Sequence, residues 1–238
     1  MSRPPIVLVH GAWAGVWDWR RVLAPLRAST SARCRSVPSS GDRRHLLRPD
    51  IGLHTHAADV VGCLRDEELR DVVLVGHSYA GLVITAAAHM LAAQAMPALR
   101  QLVYVDAMVP LSGESWGSRH PPEIQAARTA AAAAQGCNAL PPPDPGGFGL
   151  AGADRDWLLR RQCPHPFGAY RELLPRGAEA LDLPRAFIDC IEPAYPTIDP
   201  MRARVRELGF AVATMRTGHY PQIQQPAVFV EHLLGFIR

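Results

Sequence analysis

The chain has 238 residues, which is enough for one domain with a sizeable hydrophobic core and an insertion. Its formal net charge is +3, and this near balance excludes the strongly basic surface typical of nucleic-acid binding. All 25 basic residues are arginine, which excludes catalysis by a lysine Schiff base or a lysine general base.

The five cysteines are scattered along the chain, and no two of them form a Cys-x-x-Cys pair. This pattern predicts free thiols in a reducing compartment and argues against structural zinc. No apolar run reaches the roughly 18–20 residues that span a bilayer, and the first residues lack the pattern of a signal peptide. We therefore expect a cytoplasmic protein without a membrane partner, either a monomer or a homodimer.

The first half of the chain alternates short apolar runs with amphipathic stretches. Strands are predicted at residues 6–9, 33–37, 72–75 and 101–105. Helices are predicted from about residue 18, at 54–64 and at 82–95. The polar and basic residues 39–50 are predicted to form a loop, with the arginines of 43–48 in solvent.

The composition changes after Pro110. Residues 112–183 are rich in proline, glycine and alanine, with short helices predicted at 122–135, 155–161 and 169–174. Regular alternation then resumes, with strands at 185–191 and 210–215 and helices at 200–208 and 225–237. The sequence therefore predicts a core of residues 1–111 and 184–238, interrupted by a cap of residues 112–183.

Strands that alternate with helices predict an α/β fold of about six mainly parallel strands flanked by helices. In such sheets the functional site lies at the carboxyl ends of the strands. Ser78, Asp106 and His219 each follow directly after a predicted strand. We therefore expect these three side chains to meet at one edge of the sheet.

Residues 76–81, Gly-His-Ser-Tyr-Ala-Gly, place a serine between a strand and a helix of small residues. Such an elbow is a strained turn that exposes the serine oxygen above the sheet. A serine hydroxyl needs a neighbouring base, and the base needs a partner that fixes its tautomer. The order Ser78, Asp106, His219 predicts a nucleophile, an acid and a general base.

Attack on a carbonyl produces an oxyanion, which preorganised donors must stabilise. One predicted donor is the backbone N–H of Tyr79, and the other is that of Ala12 or Trp13 in the turn after the first strand. His10 is predicted to be a structural loop residue that hydrogen-bonds the backbone. We predict that Trp13, together with Trp116 and Trp157 of the cap, lines the substrate pocket.

His54 and His56 suggest a metal pair at first sight. Side chains two residues apart on a helix diverge, so we predict a solvated face here instead. We expect no metal and no other cofactor.

At this point the chain resembles the α/β-hydrolase superfamily, and within it the branch that holds plant methylesterases, hydroxynitrile lyases and bacterial carboxylesterases. The resemblance covers nearly all of the core and little of the cap. It rests on residues 10–13 (His-Gly-Ala-Trp) with Gly15, Trp17 and Trp19, on residues 76–81, on residues 106–110 (Asp-Ala-Met-Val-Pro), and on residues 217–219 (Thr-Gly-His) with Pro226. It implies an α/β-hydrolase fold, Ser78 as nucleophile, His219 as base, and the N–H groups of Ala12 and Tyr79 as oxyanion donors.

The chain departs from that branch at the acid. The branch usually places its acid after the fifth strand, but residues 190–193 read Cys-Ile-Glu-Pro, with proline where the aspartate would stand. We therefore predict Asp106 as the acid, with Glu192, Asp199 and Asp189 as alternatives.

Two related chemistries are disfavoured. Hydroxynitrile lyases of this branch place a lysine after the histidine, whereas Tyr220 follows His219 here and the chain has no lysine. The serine at position 78 excludes the carboxylate nucleophile of epoxide hydrolases and haloalkane dehalogenases.

The sequence predicts a cofactor-free serine hydrolase that cleaves a small, largely apolar carboxylic ester through an acyl-enzyme. A thioesterase, lactonase or amidase would use the same groups. The alternative from another class is a ligand-binding protein or pseudo-enzyme on a hydrolase scaffold.

Overall fold

The computed structural model describes residues 4–29, 34–36, 50–94, 99–134 and 139–237. The predicted loop at 39–50, apart from Asp50, and the arginines of 43–48 lie outside the described residues.

A six-stranded parallel sheet forms the centre of the molecule, with the strand order β2-β1-β3-β4-β7-β8. Its strands are β1 (Ile6–Val9), β2 (Cys34–Ser36), β3 (Val72–His77), β4 (Leu99–Val105), β7 (Arg185–Cys190) and β8 (Ala211–Met215). A separate antiparallel pair joins β5 (Ala139–Leu140) to β6 (His165–Pro166). The predicted fold of about six mainly parallel strands with an insertion after the fourth strand is confirmed.

The sheet is covered by helices on both faces. The helices are α1 (Arg20–Ser29), α2 (Leu53–Asp66), α3 (Ala80–Ala93), α4 (Pro122–Ala134), α5 (Gly152–Leu159), α6 (Phe167–Arg171), α7 (Asp199–Glu207), α8 (Pro221–Gln224) and α9 (Pro226–Phe236). Short 3-10 helices lie at Val16–Trp19, Gly117–Arg119, Pro145–Phe148, Ala178–Ala180 and Pro196–Ile198. The predicted helices are present, with ends shifted by up to three residues.

The apolar runs of the central strands are buried on both sides, as covered parallel strands require. Val7 and Leu74 face one hydrophobic cluster, together with α2 and α3. Ile6 and Val73 face a second cluster, built with α1 and α9. Burial on both faces explains why these runs are continuous rather than alternating.

Residues 112–183, called the cap segment below, run between β4 and β7 and contain α4, α5, α6 and the β5–β6 pair. Leu140, Leu158 and Phe167 of this segment belong to the same hydrophobic cluster as α2 and α3. The cap segment therefore packs on that face of the core. The division of the chain into a core and a cap domain at these boundaries stays a prediction.

Across the described ranges, no helix combines the length and apolarity needed to cross a membrane. In the same residues, no group of three or more histidine, cysteine, aspartate or glutamate side chains is arranged to hold a metal ion.

Candidate active site

Ser78 occupies the turn between β3 and α3. Its φ of +56° lies in the left-handed region, which serine rarely adopts. The Ser78 N–H donates to the carbonyl of Val105 (3.1 Å), and the Ser78 carbonyl accepts from the N–H of Met108 (3.0 Å). The strained turn is therefore held by the end of β4 and the loop that follows it.

Gly81 allows α3 to approach that same loop. A Cβ atom at position 81 would lie 1.9 Å from the carbonyl oxygen of Met108, so no larger residue fits without a backbone shift. The start of α3 therefore requires glycine at position 81 for this close approach.

The structure brings Ser78, His219 and Asp106 into one hydrogen-bonded chain. Ser78 Oγ lies 2.9 Å from His219 Nε2, and His219 Nδ1 lies 2.6 Å from Asp106 Oδ2. When Nδ1–H donates to the carboxylate, Nε2 is left as the acceptor for the serine hydroxyl. This tautomer is the one that a general base requires.

Burial shifts the pKa values of Asp106 and His219. Asp106 is 0% exposed and His219 is 1% exposed. Burial raises the pKa of Asp106, and both the Cys190 N–H and the Arg202 guanidinium oppose that shift. Burial also lowers the pKa of His219, so its imidazole is favoured in the neutral form that accepts a proton.

His77, next to the nucleophile, fixes the loop that carries the base. Its Nε2 lies 2.7 Å from the carbonyl oxygen of His219, and its Nδ1 lies 3.2 Å from the amide nitrogen of Gln222. Burial lowers the pKa of His77, so the ring is neutral, with Nε2–H as donor and Nδ1 as acceptor. The sequence analysis missed this role, for which the position beside Ser78 was the available signal.

The turn after β1 packs against the nucleophile. A Cβ atom at Gly11 would lie 3.1 Å from Ser78 Cβ, so this turn can approach only without a side chain there. Ala12 lines the cavity beside Ser78, and Tyr79 follows Ser78 directly in the chain. Among the described residues, neither backbone N–H donates to another backbone group outside the helices and strands. His10 Nδ1 lies 2.9 Å from the Gly11 carbonyl, as predicted for a loop residue that bonds the backbone.

Trp13 connects this turn to the cap segment. Its φ is +60°, which is a strained value for a bulky residue. The Trp13 carbonyl accepts from the N–H of Cys163 (3.1 Å), and its indole N–H donates to the carbonyl of Leu140 (3.2 Å). The cap segment thus determines the shape of the turn beside Ser78.

A narrow, mostly apolar cavity opens beside Ser78. It is lined by Ala12, Trp13, Ser78, Met108, Trp116, Phe148, Tyr195, Thr197, Ile198 and Tyr220. The structure therefore places Trp13 and Trp116 at this cavity, and their role in binding substrate stays a prediction.

Trp157 does not line this cavity, and its predicted place in the pocket is not supported. Its ring packs edge-on against Trp17 (centroids 5.2 Å apart) and beneath the guanidinium groups of Arg21 and Arg161. Phe148 was not singled out from the sequence, because the irregular cap segment gives no period from which to infer a facing side. Tyr195 was not singled out either, because it lies between β7 and α7 in a stretch without a recognised motif.

The predicted solvated face at His54 and His56 is wrong for His56, which is 2% exposed. Its Nδ1 lies 3.0 Å from the Tyr79 hydroxyl, and its ring lies 5.4 Å from that of His165 in the cap segment. Burial lowers the pKa of His56 to about 4 and that of His165 well below its usual value. These neutral imidazoles pack against Tyr79, whose ring lies 4.7 Å from that of His165.

Of the four carboxylates considered for the acid, Asp106 is the one hydrogen-bonded to His219. Glu192 is exposed and pairs with Arg216 (3.2 Å). Asp189 and Asp199 both pair with Arg202.

Comparison with known proteins agrees with this architecture. A family model described as the alpha/beta hydrolase family matches residues 6–232. A carbendazim hydrolyzing esterase from Nocardioides sp. (strain SG-4G) is 40% identical over 186 residues, which cover 74% of this chain and 75% of that protein.

Two solved structures share the fold at low sequence identity. An extracellular alpha/beta-hydrolase from a Paenibacillus species superposes with a TM-score of 0.85 at 21% identity, covering 99% of each chain. A methylesterase from Arabidopsis, MES16, superposes with a TM-score of 0.72 at 18% identity, covering 98% of each chain. From the family match and the carbendazim-hydrolyzing relative together, we conclude that the chain belongs to the alpha/beta hydrolase family.

Proposed function

We propose that this protein is a serine hydrolase that cleaves small, largely apolar carboxylic esters through an acyl-enzyme. The observation that carries the proposal is the pair of hydrogen-bond distances at His219. Its Nε2 lies 2.9 Å from Ser78 Oγ, and its Nδ1 lies 2.6 Å from Asp106 Oδ2. These distances are within the hydrogen-bond reach that nucleophile activation requires.

In this mechanism Ser78 Oγ attacks the ester carbonyl while its proton moves to His219 Nε2. Asp106 stabilises the imidazolium that forms. The N–H groups of Ala12 and Tyr79 receive the oxyanion. His219 then gives its proton to the leaving alcohol, and water hydrolyses the acyl-enzyme by the same steps in reverse.

The cavity supports the proposed substrate class. Its walls are mostly aromatic and aliphatic, and it is narrow, which favours a small or flat acyl group over a long chain. The relative named as a carbendazim hydrolyzing esterase makes carbendazim a candidate substrate for this chain as well. Thioesters, lactones and amides would use the same reacting groups and belong in the same screen.

The test is hydrolysis of p-nitrophenyl acetate, butyrate and octanoate, and of carbendazim, by the wild type and by Ser78→Ala. We expect the wild type to turn over the short esters and Ser78→Ala to lose 10³–10⁴ or more in kcat. A fluorophosphonate probe should label the wild type and not the variant. A wild type that hydrolyses none of these substrates and resists the probe would instead support the ligand-binding or pseudo-enzyme alternative.

A further inference from the structure

The carboxylate of Asp106 is supported on the side away from His219. Its Oδ1 accepts from the backbone N–H of Cys190 (3.3 Å), at the end of β7. Beyond that bond, Arg202 Nη2 of α7 lies 3.9 Å from the same oxygen. A positive charge is thus placed behind the acid in a region where water cannot screen it.

Arg202 is held firmly for a residue outside the reacting groups. Its Nε donates to Asp189 Oδ1 (2.7 Å), its Nη2 donates to the carbonyl of Cys190 (3.0 Å), and its Nη1 pairs with Asp199. The Arg202 side chain is only 15% exposed. Cys190 therefore lies between the two groups, with its N–H bonded to Asp106 and its carbonyl bonded to Arg202.

We propose that Arg202 is a positioning residue that keeps Asp106 ionised and aligned toward His219, and that Asp189 moderates its effect as a counter-charge. This inference rests on the proposed ester hydrolysis at Ser78. Arg202 belongs to none of the sequence motifs that pointed to the site, so the pattern of the sequence gave it no role.

The charges that face Asp106 determine the sign of the effect. His219 approaches from the loop after β8, Cys190 and Asp189 belong to β7, and Arg202 and Asp199 belong to α7. In the active form the pair of Asp106 and His219 holds one proton, and uptake of a second proton on the acid side inactivates it. Arg202 opposes that uptake, whereas the carboxylates of Asp189 and Asp199 favour it.

Removing the positive charge of Arg202 and removing the negative charge of Asp189 should therefore move the acid limb of the pH profile in opposite directions. Arg202→Gln should shift the acid limb of kcat/KM to higher pH by about one unit, with a larger fall in kcat than change in KM. Arg202→Lys keeps the positive charge, so its acid limb should lie close to that of the wild type. Asp189→Asn should move the limb to lower pH, because it removes a charge that favours the second proton.

Arg204 provides the matched control, because it lies on the same helix and is 12% exposed. It binds Glu114 and the Val109 carbonyl rather than Asp106. Arg204→Gln should lower the melting temperature about as much as Arg202→Gln while leaving the acid limb where it is in the wild type. A shift of equal size in both arginine variants would show a general structural effect and overturn the proposal.

The experiment measures pH profiles for p-nitrophenyl butyrate in these five proteins, counting the wild type. The ring of His219 is followed by NMR as a readout that does not depend on turnover. If the wild type hydrolyses no ester, the proposed function fails, and the NMR titration still tests the coupling of Arg202 to the pair. If hydrolysis is normal and neither the acid limb nor the His219 titration moves in Arg202→Gln or Asp189→Asn, the proposal is wrong.

Discussion

The six-stranded sheet and the cap segment are held together by different means. Each central strand pairs with two parallel neighbours and is buried on both faces. The cap segment has one antiparallel pair of two-residue strands, and much of the rest is 3-10 helix, short α-helix and irregular chain. Its α4 buries only Ala132 along 13 residues. The sheet is a rigid support, whereas the cap segment depends on the core for its order.

The core and the cap segment contribute different parts of the candidate site. The side chains proposed to react, Ser78, Asp106 and His219, follow the carboxyl ends of core strands, where backbone pairing fixes the chain. Trp116 and Phe148 of the cap segment supply walls of the cavity. Changes in the core should therefore affect whether the reaction occurs, and changes in the cap segment should affect which ester reacts.

The largest expected effect concerns the acid. Asp106→Asn should lower kcat by about 10³–10⁴, because the amide no longer stabilises the imidazolium or holds the required tautomer. Glu192→Gln should stay near the wild type, since Glu192 is exposed and pairs with Arg216. Steady-state kinetics on p-nitrophenyl butyrate measures both. Full activity in Asp106→Asn together with loss in Glu192→Gln would assign the acid to Glu192.

A pair of glycine substitutions compares the packing of the two regions. Gly81→Ala should reduce the free energy of unfolding by about 3 kcal/mol, because its Cβ would meet the Met108 carbonyl oxygen at 1.9 Å. Gly147→Ala in the cap segment has nothing within 4 Å of the new Cβ and should change that free energy by less than about 0.5 kcal/mol. Urea unfolding of both variants gives the values. Equal losses of unfolding free energy in the two variants would show that the backbone around Gly81 can shift to accept a Cβ atom.

Two tryptophans of the cap segment test the assignment of the cavity. Trp116→Ala should raise the ratio of kcat/KM for octanoate over acetate by about tenfold, because it removes a bulky wall and widens the cavity. Trp157→Ala is the control, since Trp157 packs on Trp17 outside the cavity. A changed ratio in Trp157→Ala and not in Trp116→Ala would contradict the assignment.

The smallest expected effect is the pH dependence at the contact between core and cap segment. His56 has its pKa lowered to about 4 in the folded chain, against an ordinary value of 6.5, so the unfolded chain binds its proton more tightly. Its contribution is close to zero near pH 7.5 and becomes destabilising as the pH falls, by roughly 1 kcal/mol at pH 5.5.

His56→Gln should remove that loss, so its unfolding free energy should fall by roughly 1 kcal/mol less than that of the wild type between pH 7.5 and pH 5.5. The exposed His54 on the same helix is the control, and His54→Gln should follow the wild type. Parallel curves for His56→Gln and the wild type would show that His56 is not held neutral by the fold.

The accuracy of the sequence analysis follows the same division. The elbow at Ser78 was predictable because an apolar strand, small residues and a serine lie next to one another in the chain. The meeting of Ser78, Asp106 and His219 was predictable because parallel strands end at one edge. The fold class and the family are confirmed. The cytoplasmic location and the oligomeric state remain predictions.

What the sequence could not indicate depends on contacts between distant segments. His56 was predicted to be solvated because no residue near it in the sequence indicates its contacts with Tyr79 and His165. Trp116 and Trp157 looked alike because a proline- and glycine-rich segment has no period that assigns one to the cavity and the other to Trp17. The charge of Arg202 behind Asp106 depends on how α7 packs against the end of β7.

The hydrogen bonds that link Trp13 to Cys163 and to Leu140 have a consequence for engineering and for divergence within the family. A chimera that exchanges residues 112–183 for the insertion of another hydrolase removes both partners of Trp13 and releases the strained turn beside Ser78. Selectivity and turnover should then change together, because the insertion holds a turn of the candidate active site. Productive chimeras should carry residues 10–14 along with the insertion that holds them.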